Sequence, residues 1–349
     1  MTFSRFVRQL AATTLLACLF GCSNFGYYMQ SISGQMHVVE ARQPIAEVIT
    51  NPQTPPALKR QLELAVTIRD FASRSLSLPD NESFRSYADL KRPYALWNVF
   101  AASEFSIEPR EWCLVFAGCV GYRGYFSHDE AQHFADELSA EGDDVFVGGV
   151  PTYSTLGWFD DPVLNTFINY PEAELARLIF HELAHQVVYV KDDTTFNESF
   201  AVSVELEGVK RWLAQRNDPQ ITAAFERSQQ RHEQFQTLIA SYHGQLSKLY
   251  RSGIAPDAMR VRKAELFSAM KQDYEKLKAE WDGFKGYDRF FESPNNAHLV
   301  SVELYTQRVL QFQRLIDKHQ SDLAAFYADV REIAKLSKEE RDKVLEAGQ

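Results

Sequence analysis

Cysteine is scarce in this chain: four residues in 349, two of them before position 23. The other two, Cys113 and Cys119, have five residues between them, which makes neither a CxxC redox motif nor half of a zinc ribbon. Positive charge is short as well. Lys and Arg number 37 against 47 Asp and Glu, so the formal net charge is -10, with a pI near 5.5. No Lys/Arg-rich run interrupts the acidic balance, so nothing matches a phosphate backbone and nucleic acid is not an expected partner. There is no internal repeat and no low-complexity tract. The apolar stretch Leu10 to Phe20 is too short to span a bilayer. What is present, 45% hydrophobic and 24% charged residues, can bury a full core. One large domain, or one domain with an appendage, is expected.

Residues 1–21 read as an export signal, with Arg5 and Arg8 before the apolar stretch. Its end, Leu19-Phe20-Gly21-Cys22, resembles the lipobox of bacterial lipoproteins, which implies cleavage before Cys22 and a lipid on that residue. Cys18, after Leu15-Leu16-Ala17, is the competing cleavage point, and a plain secretory signal is the blander alternative. Ser23 is not the aspartate that the lipoprotein pattern uses for inner-membrane retention. The resemblance therefore implies an anchor in the outer membrane, facing the periplasm. An oxidising compartment allows a local Cys113–Cys119 disulfide across a hairpin-like loop, the alternative being two buried thiols.

Residues 22–56 carry Gly26, Gly34, Pro44, Pro55 and Pro56, a composition suited to a tether, although Tyr27 and Tyr28 call for packing partners. The domain proper is expected over residues 57–349. Apolar spacing predicts a helix from Ala57 to Ser73, then strands within Tyr94–Phe100, Cys113–Val120 and Val145–Tyr153, with one short helix from Glu130 to Ser139. From Pro171 onward the pattern is helical. Two apolar seams, Ile221 to Leu249 and Leu266 to Trp281, predict an antiparallel helical hairpin over about 220–281, packed inside the protein or serving as a partner-binding arm.

The chemistry-bearing segment is His181-Glu182-Leu183-Ala184-His185, inside a stretch with helical periodicity and no Gly or Pro after Pro171. On a helix the two histidines lie one turn apart on one face, where both imidazoles reach one tetrahedral zinc. Glu182 flanks the metal without ligating it and is placed to act on an activated water as general base. Uncharged neighbours, Ile179, Phe180, Leu183, Ala184 and Val187, suit a buried metal helix. A third ligand is needed. Val188 stands three after His185, where metzincins continue to a glycine and a third histidine, so that route is closed. Glu198 in Asn197-Glu198-Ser199-Phe200-Ala201 resembles the third ligand of gluzincins, with twelve residues between it and His185. The competing reading is a capping box with Thr195 as N-cap. Asp192, Asp193 and Asn197 are the nearby acceptors for the histidines' outer nitrogens.

The segments Gly21–Tyr28, Ala117–Phe126, Gly149–Phe159 and His181–Gln186 together resemble the predicted aminopeptidase family of bacterial lipoproteins, along essentially the whole chain. The resemblance implies a gluzincin-like zinc peptidase with one Zn2+, a peptide substrate and a lipid anchor at the membrane. The expected fold is α+β and helix-rich: a zincin-like domain with a small sheet on the metal helix and a large helical region behind it. Tyr153 and Ser154, after the strand Val145–Val150, are candidates for a substrate-pairing edge, with an aromatic core corner as the alternative. Asn197, His298 and Tyr305 are candidates for orienting a ligand or stabilising the transition state. Arg123 could hold a substrate carboxylate or pair with a buried acid, and Asp160 or Asp161 could take a substrate amine. Three functions stay open: an aminopeptidase, an envelope quality-control endopeptidase, and a non-catalytic lipoprotein scaffold.

Overall fold

The computed structural model describes residues 26–114, 118–155, 157–303 and 308–347. The segment expected as an export signal, Cys18, Cys22 and Tyr305 lie outside those residues. A helix over residues 26–40 (α1) leads to β1 (Arg42–Pro44), α2 (Ile45–Thr50) and α3 (Pro56–Leu76). The middle third carries β2 (Ser86–Ala88), β3 (Leu96–Ser103), β4 (Trp112–Leu114), β5 (Gly118–Val120), β6 (Arg123–Tyr125), α4 (His128–Ala140), β7 (Asp143–Val150) and β8 (Val163–Leu164). Helices follow: α5 (Glu172–His185), α6 (Thr194–Arg216), α7 (Pro219–Tyr250), α8 (Pro256–Glu280), α9 (Asp288–Phe291), α10 (Asn296–Glu303), α11 (Val309–Lys318), α12 (Leu323–Ala334) and α13 (Lys338–Ala347). The fold is α+β and helix-rich. Among the described residues no helix is long and apolar enough to cross a membrane.

Strands are short, and they form three small sheets among the described residues in place of the single sheet expected. The central one has the order β6-β3-β7, all antiparallel, with β3 paired to β7 from Leu96↔Val150 to Ser103↔Asp143. Its strands alternate faces. Trp97, Val99 and Ala101 pack on Ala131, Ala135 and Leu138 of α4, while Leu96 and Asn98 look into a cleft on the other side. The run from Cys113 to Val120 folds back as the hairpin β4–β5, which sets Cys113 opposite Cys119 in a disulfide.

The segment expected as a tether is ordered differently: residues 26–40 form a helix that packs against β6 and Phe126. Gln30 donates to the Gly124 carbonyl at 3.3 Å and accepts from the Phe126 N–H at 3.1 Å. Tyr27 meets the Tyr125 ring edge-on at 5.6 Å. Gly34 sits where α1 approaches closest, for a Cβ there would fall 2.0 Å from the Phe126 ring.

Helix α5 is buried on nearly every side, against α3, α6 and α7. Phe180 of α5, Phe71 of α3 and Trp212 of α6 form one aromatic cluster, with Phe71 5.8 Å from Phe180 and 5.2 Å from Trp212. Each such ring contributes about 1.5–3 kcal/mol when fully buried. Gly208 lets α6 close on this cluster, since a Cβ would stand 2.7 Å from Phe180. The hairpin α7–α8 packs onto the rest of the protein through one buried face. Phe235, Ile239, Tyr242 and Leu246 meet Met270, Tyr274 and Trp281 in a second core that also takes Ala102, Phe291 and Leu299.

Candidate metal centre

His181 and His185 occupy the last turn of α5, and Glu198 sits in the first turns of α6. The chain reverses between them in a loop ending at Asp193, whose side chain accepts the Phe196 N–H and so caps α6. The helix therefore begins ahead of Thr195. No Thr195 capping box forms, and the Glu198 carboxylate turns to the histidines. His181 Nε2 is 3.1 Å from His185 Nε2 and 3.3 Å from Glu198 Oε2. His185 Nε2 is 3.7 Å from Glu198 Oε1. Ligand bonds of zinc near 2.0–2.2 Å in a tetrahedron need donors about 3.3 Å apart. The three donors, all within 4.8 Å of one another, could hold a metal ion.

Their electrostatics fit a cation. Burial works against the imidazolium of His181, yet bonds to Glu198 and Glu205 outweigh it and hold its pKa well above the ordinary value. His185 is pushed down to about 4, chiefly by burial, and stays in the neutral form that a ligand requires. Glu182 is buried beside them, its pKa raised to about 8 by burial, with Glu198, Asp161 and Glu205 adding to the shift.

Behind His181 stands a residue that the sequence reading did not single out. Glu205 Oε2 lies 2.8 Å from His181 Nδ1, and its other oxygen accepts from Arg177 at 3.1 Å. Arg177 is held in turn by Glu174, to which Ser228 donates at 2.7 Å. Glu205 follows Glu198 by two helical turns and Arg177 precedes His181 by one, so helical spacing carried the signal. The nearby acids have other work. Asp192 accepts the Cys119 N–H at 2.8 Å, fastening the disulfide hairpin to the interhelical loop. Gly118 makes room for that contact, for a Cβ there would lie 1.9 Å from Asp192 Oδ1. Asp193 pairs with Arg341. Asn197 clamps the loop, accepting the Val190 N–H and donating to the Val190 carbonyl. Glu205→Gln keeps the shape of this chain of contacts and removes its charge. Zinc titration of that variant is expected to show affinity lowered by roughly 10- to 100-fold.

A cleft of about 770 Å³ opens over the three donors. The central sheet supplies Leu96, Asn98 and Gly124, Tyr122 joins them from the link before β6, and Val150 and Thr152 to Thr155 with Trp158 and Phe159 add to the lining. Tyr153 and Ser154 therefore line the cleft, beyond the end of β7, and the Tyr153 hydroxyl donates to Gln35 of α1. The outer edge of β7 is engaged elsewhere: its Val145 carbonyl accepts from Asn295 at 2.9 Å. His298 is not brought to the cleft. Its ring packs on Phe146 at 4.0 Å and its Nδ1 meets Asn295, with burial lowering its pKa to about 4.

Strand alternation sends Arg123 away from the cleft, over the rings of Tyr27 at 4.1 Å and Phe134 at 4.7 Å. It pairs with no acid among the described residues. Tyr122, its neighbour, faces the cleft. Burial raises the Tyr122 pKa, with Glu198 and then Tyr189 adding to it, so the hydroxyl stays protonated. Asp161 is buried and holds the Thr155 N–H at 3.0 Å and hydroxyl at 2.8 Å. Its pKa rises to about 6 through burial, against those two bonds. Among the described residues that line the cleft, the only acids are Glu182 and Glu198.

No curated protein and no solved structure matches the chain. A family model described as "Putative aminopeptidase" matches residues 26–345, which takes in α1, the central sheet and the helices α5 and α6. By that match the chain belongs to this aminopeptidase family, and its activity is that of a peptidase.

Proposed function

We propose that the chain is a zinc-dependent peptidase in which His181, His185 and Glu198 hold one zinc ion and Glu182 is the general base. The observation that carries this reading is the three-donor cluster with a buried carboxylate beside it and a peptide-sized cleft above. Zinc bound there supplies Lewis acidity and a water acidified for nucleophilic attack. Glu182 takes the proton released by the attacking water and delivers it to the departing nitrogen, so the peptide bond breaks with atoms and charge balanced. Tyr122 and Tyr189, two hydroxyls lining the cleft, are the donors at hand for the developing oxyanion. Glu205 holds the His181 ring with its Nε2 toward the metal.

The family description supports an aminopeptidase. A second reading, an endopeptidase, is favoured by one feature: the described lining offers a substrate ammonium no acid besides Glu182 and Glu198. The export signal and Cys22 support a lipid-anchored enzyme at the outer membrane, facing the periplasm. The deciding experiment uses protein lacking residues 1–22. Zinc binding near one ion per chain, loss of activity with a chelator and return with zinc are expected. A matched pair of free-amine and acetylated peptides then separates the two readings, since only an endopeptidase cuts the acetylated one. A chain that binds no zinc leaves the non-catalytic scaffold.

A further inference from the structure

Asn98 is a polar side chain on the face of β3 that turns to the cleft. It is 6% exposed, and its Oδ1 has no hydrogen-bond partner among the described residues. A buried acceptor left unpaired is costly, and an apolar residue there would remove the cost. The register sets Asn98 opposite Gly124 on one neighbouring strand and Gly148 on the other. Gly124 keeps the space over the carboxamide clear, and Gly148 does the same beside the Phe146 and Phe100 rings. A Cβ on Gly124 would stand 3.2 Å from Asn98 Oδ1, and one on Gly148 would stand 3.1 Å from the Phe146 ring. The clearance has a continuation. Asn98 and Val150 line both the metal cleft and an adjoining cavity of about 260 Å³, whose walls include Phe100, Phe146 and Phe290.

We propose that Asn98 anchors the bound peptide: its Oδ1 accepts a hydrogen bond from a substrate N–H, and the adjoining cavity receives an apolar or aromatic side chain of the same peptide. The assignment rests on the peptidase reading and gives it a substrate class, extended peptides bearing an apolar side chain near the scissile bond. The donor is a nitrogen-bound hydrogen in each of two sources, a main-chain amide or the terminal ammonium. Folding alone gives no reason to bury this carboxamide without a partner. Substrate binding does, because the acceptor is then desolvated in advance and paired on arrival.

The test measures peptide binding in zinc-loaded Glu182→Gln protein, so that affinity is read without turnover. The probes are the tetrapeptide Ala-Phe-Ala-Ala, its acetylated form, and forms methylated at one amide nitrogen at a time. Asn98→Ala is expected to weaken the parent peptide by about tenfold or more, while the unfolding temperature of the free protein holds or rises. Gly124→Ala, which crowds the same oxygen, is expected to weaken it too. A methylation that costs affinity when Asn98 is present, and nothing further in the Asn98→Ala variant, identifies that amide as the donor. A loss confined to free-amine probes identifies the ammonium. Unchanged affinity in both variants overturns the assignment, as does a fall in unfolding temperature on Asn98→Ala, which marks a structural role. A parent protein that neither binds nor hydrolyses any probe refutes the peptidase reading itself. Binding that ignores Asn98 refutes this assignment alone.

Discussion

Glu182→Gln is expected to keep the metal and lose the reaction, with kcat lowered by roughly 10²- to 10⁴-fold and zinc stoichiometry unchanged. The amide has the shape of the carboxylate it replaces and cannot take a proton from water. Glu182 is not one of the three donors that cluster for a metal, so those donors stay in place. Folding stability is not expected to fall. The Glu182 carboxyl is 7% exposed, and its charged form is penalised first by burial and then by Glu198, Asp161 and Glu205, against the attraction of His181. Replacing it with a neutral side chain removes that penalty, a stability cost that the functional residue imposes on its site. Metal analysis, steady-state kinetics and a thermal melt on the same preparation check all three outcomes. Full activity in the variant would remove Glu182 from the mechanism.

The features legible in the sequence are those with a local period. The α5 stretch declares itself by apolar spacing, and His181, Glu182 and His185 fall on its helix where one turn brings them together. Glu198 was legible from its neighbours in sequence, and the loop geometry that frees it from capping is set by Asp193. Glu205 carries the same periodic signal, but it is 24 positions from His181 in sequence and reaches that ring only through the packing of α6 on α5. Tyr122 was hidden by Arg123: it stands one residue ahead of β6, in the link from β5, where no strand period fixes the direction of its side chain. Composition misled at residues 26–40, where Gly34 reads as a breaker. Its lack of a side chain answers a contact with Phe126, 92 positions away in sequence, and no local pattern encodes that. The Gly124–Asn98–Gly148 row is illegible for the same reason, since each member comes from a different strand and only the register aligns them.

The same long range governs the C-terminal helix, whose loss of one guanidinium is expected to unsettle the metal site from behind. Arg341 of α13 is 6% exposed and holds Asp193 Oδ2 through Nη2 at 2.7 Å and Nε at 3.1 Å. Its third nitrogen donates to the Leu336 carbonyl at 2.6 Å, and its plane lies 5.6 Å from the Phe196 ring. Asp193 is 5% exposed and spends its other oxygen capping the helix that carries Glu198. Arg341→Ala therefore strands a buried carboxylate at the hinge between the metal helices. Breaking such a pair by removing one partner costs about 3–5 kcal/mol, roughly 4–7 °C in unfolding temperature for a chain of this size. Zinc affinity is expected to fall as well, because the loop that sets Glu198 loses its support. The charge-free double variant Arg341→Met, Asp193→Asn separates the causes. Asn keeps a capping oxygen and Met fills the stem's place, so most of the lost stability should return. If the double variant melts as early as the single, the stranded charge is not the cause, and packing of the guanidinium against Phe196 and Leu336 carries the effect instead.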